Sequence, residues 1–314
     1  MRDVDVTAFL APYPARRLRR PVVLRLVDET FGPEPTPADA WLPIAFRAFA
    51  RVAERRDVRD LLVIGTGNGL DVLGAAEILP VRSVVATDLH PAGVAAAEAN
   101  VRAHLADDRD LELVFTAGDL LEPVPSGQRF DLVYENLPNL PAGAADDLRR
   151  GETSGRFFAA AAGDVPEPFG RYLLALHHRC LRDARERVRP GGGVLTAIGG
   201  RMPHEVVLDL HRRCGYEPEL LAFDVKRQVE PAVVVPPYAA AEASGDVTFT
   251  YYAADAIGLV AEARRDGLDG QELADAVAGP LAALAITATD AERRRRAGED
   301  VAHSVLMVHG RRPA

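Results

Sequence analysis

The chain has 314 residues, 48% hydrophobic and 26% charged, which supports a folded core and excludes disorder as its main state. Its formal net charge of -9 opposes the basic surface that sequence-independent nucleic-acid binding needs. The two cysteines, Cys180 and Cys214, lack metal-ligand spacing and read as free thiols of a reducing compartment, so a cytoplasmic setting is expected.

Residues 1–20 read as an irregular arm with Pro12, Pro14 and the arginines Arg16, Arg17, Arg19 and Arg20. The apolar segment that follows is broken by Arg25 and Asp28, so it is neither a signal sequence nor a membrane span. Trp41, Ile44, Ala45, Ala48 and Val52 recur at helical spacing up to about Arg56. Short apolar runs at 61–64, 84–86, 111–115, 130–134 and 194–198 then alternate with helical patterns at 70–79, 91–105, 171–188 and 206–213. Beyond residue 215 the pattern loosens: strands are expected at 220–229, 247–252 and 303–309, and helices within 255–300. Strands alternating with helices imply βαβ units and an α/β, doubly wound, Rossmann-like sheet. Three regions follow: an N-terminal arm and helices over 1–56, a core over 57–230, and C-terminal strands with a helical insertion or cap over 231–314.

The first of these strands runs into Gly65-Thr66-Gly67-Asn68-Gly69, and the second ends at Asp88. Glycines there allow a sharp turn and close approach of backbone to a ligand. An acid after the second strand can accept hydrogen bonds from both ribose hydroxyls of a nucleoside. A tight turn without ligand would also use these glycines, and Asp88 could instead cap the next helix. The dinucleotide pattern G-x-G-x-x-G is not met, because Leu70 and Asp71 follow Gly69. Ala117-Gly118-Asp119-Leu120 after the third strand could reach an adenine, or be a plain turn.

The motifs VIGTGNG (63–69), VVATDLHP (84–91), TAGDLL (116–121) and FDLVYENLPN (130–139) together resemble the class I S-adenosylmethionine-dependent methyltransferases. The resemblance implies a seven-stranded sheet with an antiparallel last strand and helical cap elements. It implies S-adenosyl-L-methionine as co-substrate, held by Gly65, Thr66, Gly67, Gly69, Asp88, Leu89, Asp119, Leu120 and Asn136.

Tyr134-Glu135-Asn136-Leu137-Pro138-Asn139 looks somewhat like the N-P-P-Y signature of methyltransferases acting on amide nitrogen, such as protein glutamine methyltransferases. Leu137 and Asn139 stand where that signature has its second proline and aromatic residue. The runs GGGVLTAIGGRMP (191–203), DLHRRCGYEP (209–218), DVTFTYY (246–252) and AHSVLMVHGR (302–311) are similar to methionine S-methyltransferases of the stand-alone bacterial type. With Leu137-Pro138-Asn139 and Phe169-Gly170 they carry the resemblance over about residues 58–312. It implies methylation of the L-methionine thioether to S-methyl-L-methionine, towards dimethylsulfoniopropionate. A thioether has no proton to lose, so alignment rather than a general base would carry that reaction.

On this expectation Tyr134, Glu135 and Asn136 are the catalytic residues, with Phe158 among the aromatic candidates. Arg201 would hold the substrate carboxylate, with Arg156 and Arg171 as second choices, and Tyr172 and Phe157 would line the acceptor site. The expected partner is the small molecule L-methionine, with no nucleic acid, no membrane and no metal. A homodimer is compatible with the sequence but not argued by it. The alternative acceptor is a nitrogen or oxygen of another metabolite, or a glutamine side chain. His177 and His178 are adjacent on a helix, point different ways and read as structural. Lys226 is the sole lysine, which weighs against Schiff-base catalysis.

Overall fold

The computed structural model describes residues 2–28, 30, 32–34, 36–106, 110–139 and 165–313. Two short strands, β1 (Arg2–Asp5) and β2 (Val23–Leu26), pair antiparallel near the start. Helix α1 (Thr7–Leu10) lies between them, so the expected irregular arm is partly regular. The main sheet is built from β3 (Asp60–Ile64), β4 (Ser83–Asp88), β5 (Glu112–Ala117), β6 (Phe130–Glu135), β7 (Val188–Gly199), β8 (Glu217–Arg227) and β11 (Val301–Arg311).

Their spatial order is β8-β11-β7-β6-β3-β4-β5. Pairings among β3 to β7 are parallel, and β11 is antiparallel to both of its neighbours, β7 and β8. The α/β class and the seven-stranded sheet with an antiparallel last strand are therefore as expected. A short added pair, β9 (Thr250–Ala253) and β10 (Ala285–Thr287), continues the sheet where Val301 and Ala302 extend past β7.

Helices cover both faces, as a parallel sheet with nearly continuous apolar strands requires. Helix α2 (Leu42–Arg55), α3 (Leu70–Ile78) and α4 (Pro91–His104) contribute to one core. Helix α5 (Ala175–Ala184), α6 (His204–Arg213), α8 (Asp255–Arg265) and α9 (Gly270–Ala282) pack in the other. Helix α7 (Pro231–Ser244) and α10 (Ala288–Arg296) enclose a third, small cluster around Tyr238, Phe249 and Tyr251.

One local expectation is corrected, and two features carry no simple sequence signal. The helix expected over 171–188 is only α5, because Leu173 adopts φ 63 ahead of it and Val188 already belongs to β7. The triple glycine does not end an element; it lies inside β7, where a Cβ on Gly193 would stand 2.3 Å from His309 Nε2. Helix α7 carries Pro236 and Pro237 in its interior, which removes the usual helix signal from the sequence.

The N-terminal segment is tied down by one buried carboxylate. Glu77 accepts the backbone N–H groups of Arg16, Arg17 and Leu18 at 2.8, 2.9 and 3.2 Å, and its side chain is fully buried. Glu77→Ala would leave buried donors without partners, and is expected to cost about 3 kcal/mol in urea unfolding. A loss below about 1 kcal/mol would show that apolar contacts alone hold the segment.

Candidate functional site

The glycine turn leaves β3 with Gly65 at φ 78, Gly67 at φ 52 and Gly69 at φ 90, all in the region that favours glycine. A Cβ on Gly65 would lie 2.9 Å from the Asn136 carbonyl oxygen, whereas one on Gly67 would meet nothing within 4 Å. The first glycine admits a neighbouring backbone, and the second faces open space. Asp88 Oδ2 accepts the Gly67 N–H at 2.9 Å, and Oδ1 accepts that of His90 at 3.3 Å. Asp88 does not cap α4, whose N-cap is His90 without a side-chain bond.

A cavity of about 1290 Å³ opens at the carboxyl ends of β3, β6 and β7. Gly65, Thr66, Gly67, Asn68 and Asp71 line one side, and Asn136, Leu137, Pro138 and Asn139 another. Trp41, Arg201, Lys226, Gln228 and His303 complete the wall, with residues of the N-terminal segment such as Phe9 and Glu34. The 136–139 loop is pinned at both ends. Asn136 N–H donates to the Ile64 carbonyl at 3.2 Å, and Asn139 Nδ2 to the Gly199 carbonyl at 3.2 Å. Tyr238 donates its hydroxyl hydrogen to the Asn139 carbonyl. Asn139, standing where an aromatic residue was looked for, is thus a buried tie between this loop and β7.

The structure brings Gly65, Thr66, Gly67, Asn136 and Arg201 to this one cavity. Gly69 makes the turn into α3, and Leu89 follows Asp88 outside the cavity wall. Asp119 pairs with Arg179 at 2.7 Å, and Leu120, at φ 51, accepts the Thr87 hydroxyl on its carbonyl at 3.0 Å. Tyr134 and Glu135 are not in the wall. Tyr134 packs edge-on against Phe49 at 5.0 Å, and Glu135 accepts His177 Nδ1–H at 2.9 Å on the other face. Glu135 takes the opposite face of β6 from Asn136, whereas Tyr134 shares the face of Asn136 and lies buried beside Asp71, behind the wall. Tyr172 packs against Phe249, away from the cavity, and Arg171 pairs with Glu167. Arg156, Phe157 and Phe158 lie outside the described residues.

Sequence comparison adds to this geometry. A release factor glutamine methyltransferase of Koribacter versatilis is 28% identical over 158 residues, 49% of this chain and 52% of that one. Another, of Deinococcus radiodurans, is 29% identical over 202 residues, 63% and 64% of the two chains. A third, of Bordetella pertussis, is 33% identical over 139 residues, 44% and 47% of the two. The chain therefore spans between about two fifths and just under two thirds of the length of the curated relatives it matches. No family model matches it. Among solved structures, the ribosomal protein L11 methylase of Lactobacillus delbrueckii superposes with a TM-score of 0.37 at 15% identity, over 60% of this chain and 71% of that one.

The chain carries a class I methyltransferase core. The comparisons overturn methionine as the acceptor. The relatives are glutamine methyltransferases of release factors, and one from Bradyrhizobium diazoefficiens is a glutamine methyltransferase of ribosomal protein uL3. L-methionine as small-molecule partner, S-methylmethionine and the dimethylsulfoniopropionate route fall with it. The runs that suggested them have structural work in this core: the glycines at 191–193 lie in β7, where Gly192 packs against the Asp131 carbonyl and Gly193 against His309. Among the described residues, no helix is long and apolar enough to cross a membrane, and no His, Cys, Asp and Glu group could hold a metal.

Asp71 was missed, although an acid inside the apolar run LDVLGAA was a visible signal. It is buried in the first turn of α3. Burial pushes its carboxyl up to about 7, while the side chains of Asn136 and Tyr134 favour the charged form. The folded chain then binds more protons than the unfolded chain between pH ~4 and ~7, so this group lowers stability as pH rises through that window. Asp71→Asn is expected to stabilise the fold above pH 7, by at most about 4 kcal/mol, and to change it little near pH 4. Equal effects at both pH values in urea unfolding would contradict the buried-acid assignment.

Proposed function

We propose that this chain transfers a methyl group from S-adenosylmethionine to an amide nitrogen, with protein glutamine as the first acceptor to test. The observation that carries the reading is the meeting of the glycine turn and Asn136 in one cavity. The similarity to glutamine methyltransferases supports the same chemistry.

The residues present fit such a co-substrate. The open space beside Gly67 gives room for a ligand against the backbone, and the Thr66 hydroxyl is buried without a partner in the cavity wall. Asp88 is half-buried and fixed by Gly67, with lone pairs left for ribose hydroxyls. When bound, S-adenosylmethionine supplies an electrophilic methyl on a sulfonium.

An amide nitrogen is a weak nucleophile, because its lone pair is delocalised into the carbonyl. Asn136 has a backbone carbonyl and a side-chain oxygen that can accept both N–H groups of such an amide, fixing the nitrogen's direction. The nitrogen must also shed one proton as the new bond forms. Asp71 lines the cavity beside Asn136, with a proton affinity near neutral pH.

Purified protein with S-adenosylmethionine and glutamine-containing peptides should give a peptide heavier by one methyl group in mass spectrometry. Asp88→Ala should weaken S-adenosylhomocysteine binding by about tenfold or more in calorimetry. Asn136→Ala should lower kcat by about a hundredfold while changing that binding far less. Unchanged affinity in the Asp88 variant would remove the cofactor assignment. A methylated product formed only on oxygen or sulfur acceptors would remove the amide.

A further inference from the structure

The far wall of the cavity gathers buried nitrogen groups with unused hydrogen-bonding capacity. Arg201 is 2% exposed, Lys226 2% and His303 1%. They form one row across three strands. Lys226 stands opposite His303 in the β8–β11 register. Gly199 stands opposite Val305 in the β7–β11 register, and Gly200 N–H donates to the Ser304 carbonyl at 2.8 Å, so Arg201 follows beside His303. All three line the cavity.

Arg201 is held in place by its neighbours. Its Nη2 donates to Gln228 Oε1 at 2.6 Å, and its guanidinium lies 5.0 Å from the Tyr238 ring centre and 5.5 Å from that of Tyr251. Gly199 leaves the room it needs, since a Cβ there would stand 2.4 Å from Arg201 Nη1. Yet Nε and Nη1 are buried with no hydrogen-bond partner, and no carboxylate among the described residues pairs with them. The Lys226 amine has no hydrogen bond either; Glu34 lies 3.7 Å away. Both ring nitrogens of His303 are buried and unpartnered. A buried guanidinium left without a counter-charge is strongly disfavoured, and a ligand oxyanion would satisfy all three groups at once.

We propose that Arg201, Lys226 and His303, with Gln228 orienting the guanidinium, form an oxyanion subsite that binds a carboxylate or phosphate of the methyl acceptor. This deepens the amide reading and rests on it: the acceptor carries an acid close to the methylated nitrogen. The acid sits at the ends of β7 and β8, and the amide at Asn136. Asp71 and Glu230 line other parts of the same cavity and would repel an acid placed there. The arrangement therefore selects position as well as charge.

Trp41 is the sole tryptophan, lines the cavity and lies 5.9 Å from His303, so its fluorescence reports on this wall. The full chain, saturated with S-adenosylhomocysteine, is titrated with sodium acetate and with sodium phosphate against sodium chloride at equal ionic strength. A saturable change in Trp41 fluorescence with acetate or phosphate, absent with chloride, is expected. The tighter of the two identifies the acid. Arg201→Gln should weaken that affinity by about tenfold or more while calorimetric binding of S-adenosylhomocysteine is retained. Should Arg201→Gln fail to fold by circular dichroism, Lys226→Met and Gln228→Leu carry the same comparison. No saturable response to either anion, or equal affinity in wild type and folded variants, would overturn the subsite. Failure of the amide reading would show instead as absence of a methylated peptide, with the anion response intact.

Discussion

The cavity depends on a close approach between two backbones. The chain leaves β3 at Gly65 and leaves β6 at Asn136, and only a hydrogen atom at position 65 leaves room for the Asn136 carbonyl. From this contact follows the placing of the rest. The turn continues through Gly67 and Gly69 into α3, whose first turn buries Asp71 beneath Asn136. The loop after Asn136 is then drawn to β7 by Asn139 and fixed from above by Tyr238. Four segments far apart in sequence thus share one rigid corner. Such preorganisation is what a reaction limited by orientation requires.

Electrostatics divides this corner. An acid whose burial favours its proton lies on the glycine side, and a guanidinium without a carboxylate partner lies on the β7–β8 side. Lys226 belongs to the same pattern: burial pulls its amine down to about 8, against the opposing pull of Glu34, Asp39 and Asp224. A chain with net charge -9 has thus gathered basic groups where water is scarce. Other buried charges in the fold are answered locally, as Glu77 is by three backbone N–H groups and Glu135 by His177. The contrast separates groups that hold the fold from groups that await a ligand.

Much of the sheet was legible because parallel strands buried on both faces are written as short continuous apolar runs. The glycine turn and Asp88 were legible because their chemistry is local: positive φ and a carboxylate at a strand end leave marks within a few residues. Glu135 was misplaced because neighbouring strand residues take opposite faces, and Tyr134 because it stops behind the wall, beside Asp71. Glu135 meets its partner 42 residues away. Helix α7 was hidden because its stability comes from Val235 and Tyr238 packing in the third cluster, against the preference of Pro236 and Pro237. The acceptor was misread because glycine-rich runs in β7 carry packing information that resembles a motif. Lys226 was noted for its rarity, and only the pairing of β8 with β11 gives that rarity a place.

The burial of the sole lysine has a practical corollary. The remaining basic side chains are arginines and histidines, so the folded surface presents no lysine amine to acylating or cross-linking reagents. Any such reagent that reaches Lys226 must have entered the cavity. Labelling at this residue would therefore record how often the site opens, with no background from lysines elsewhere in the chain.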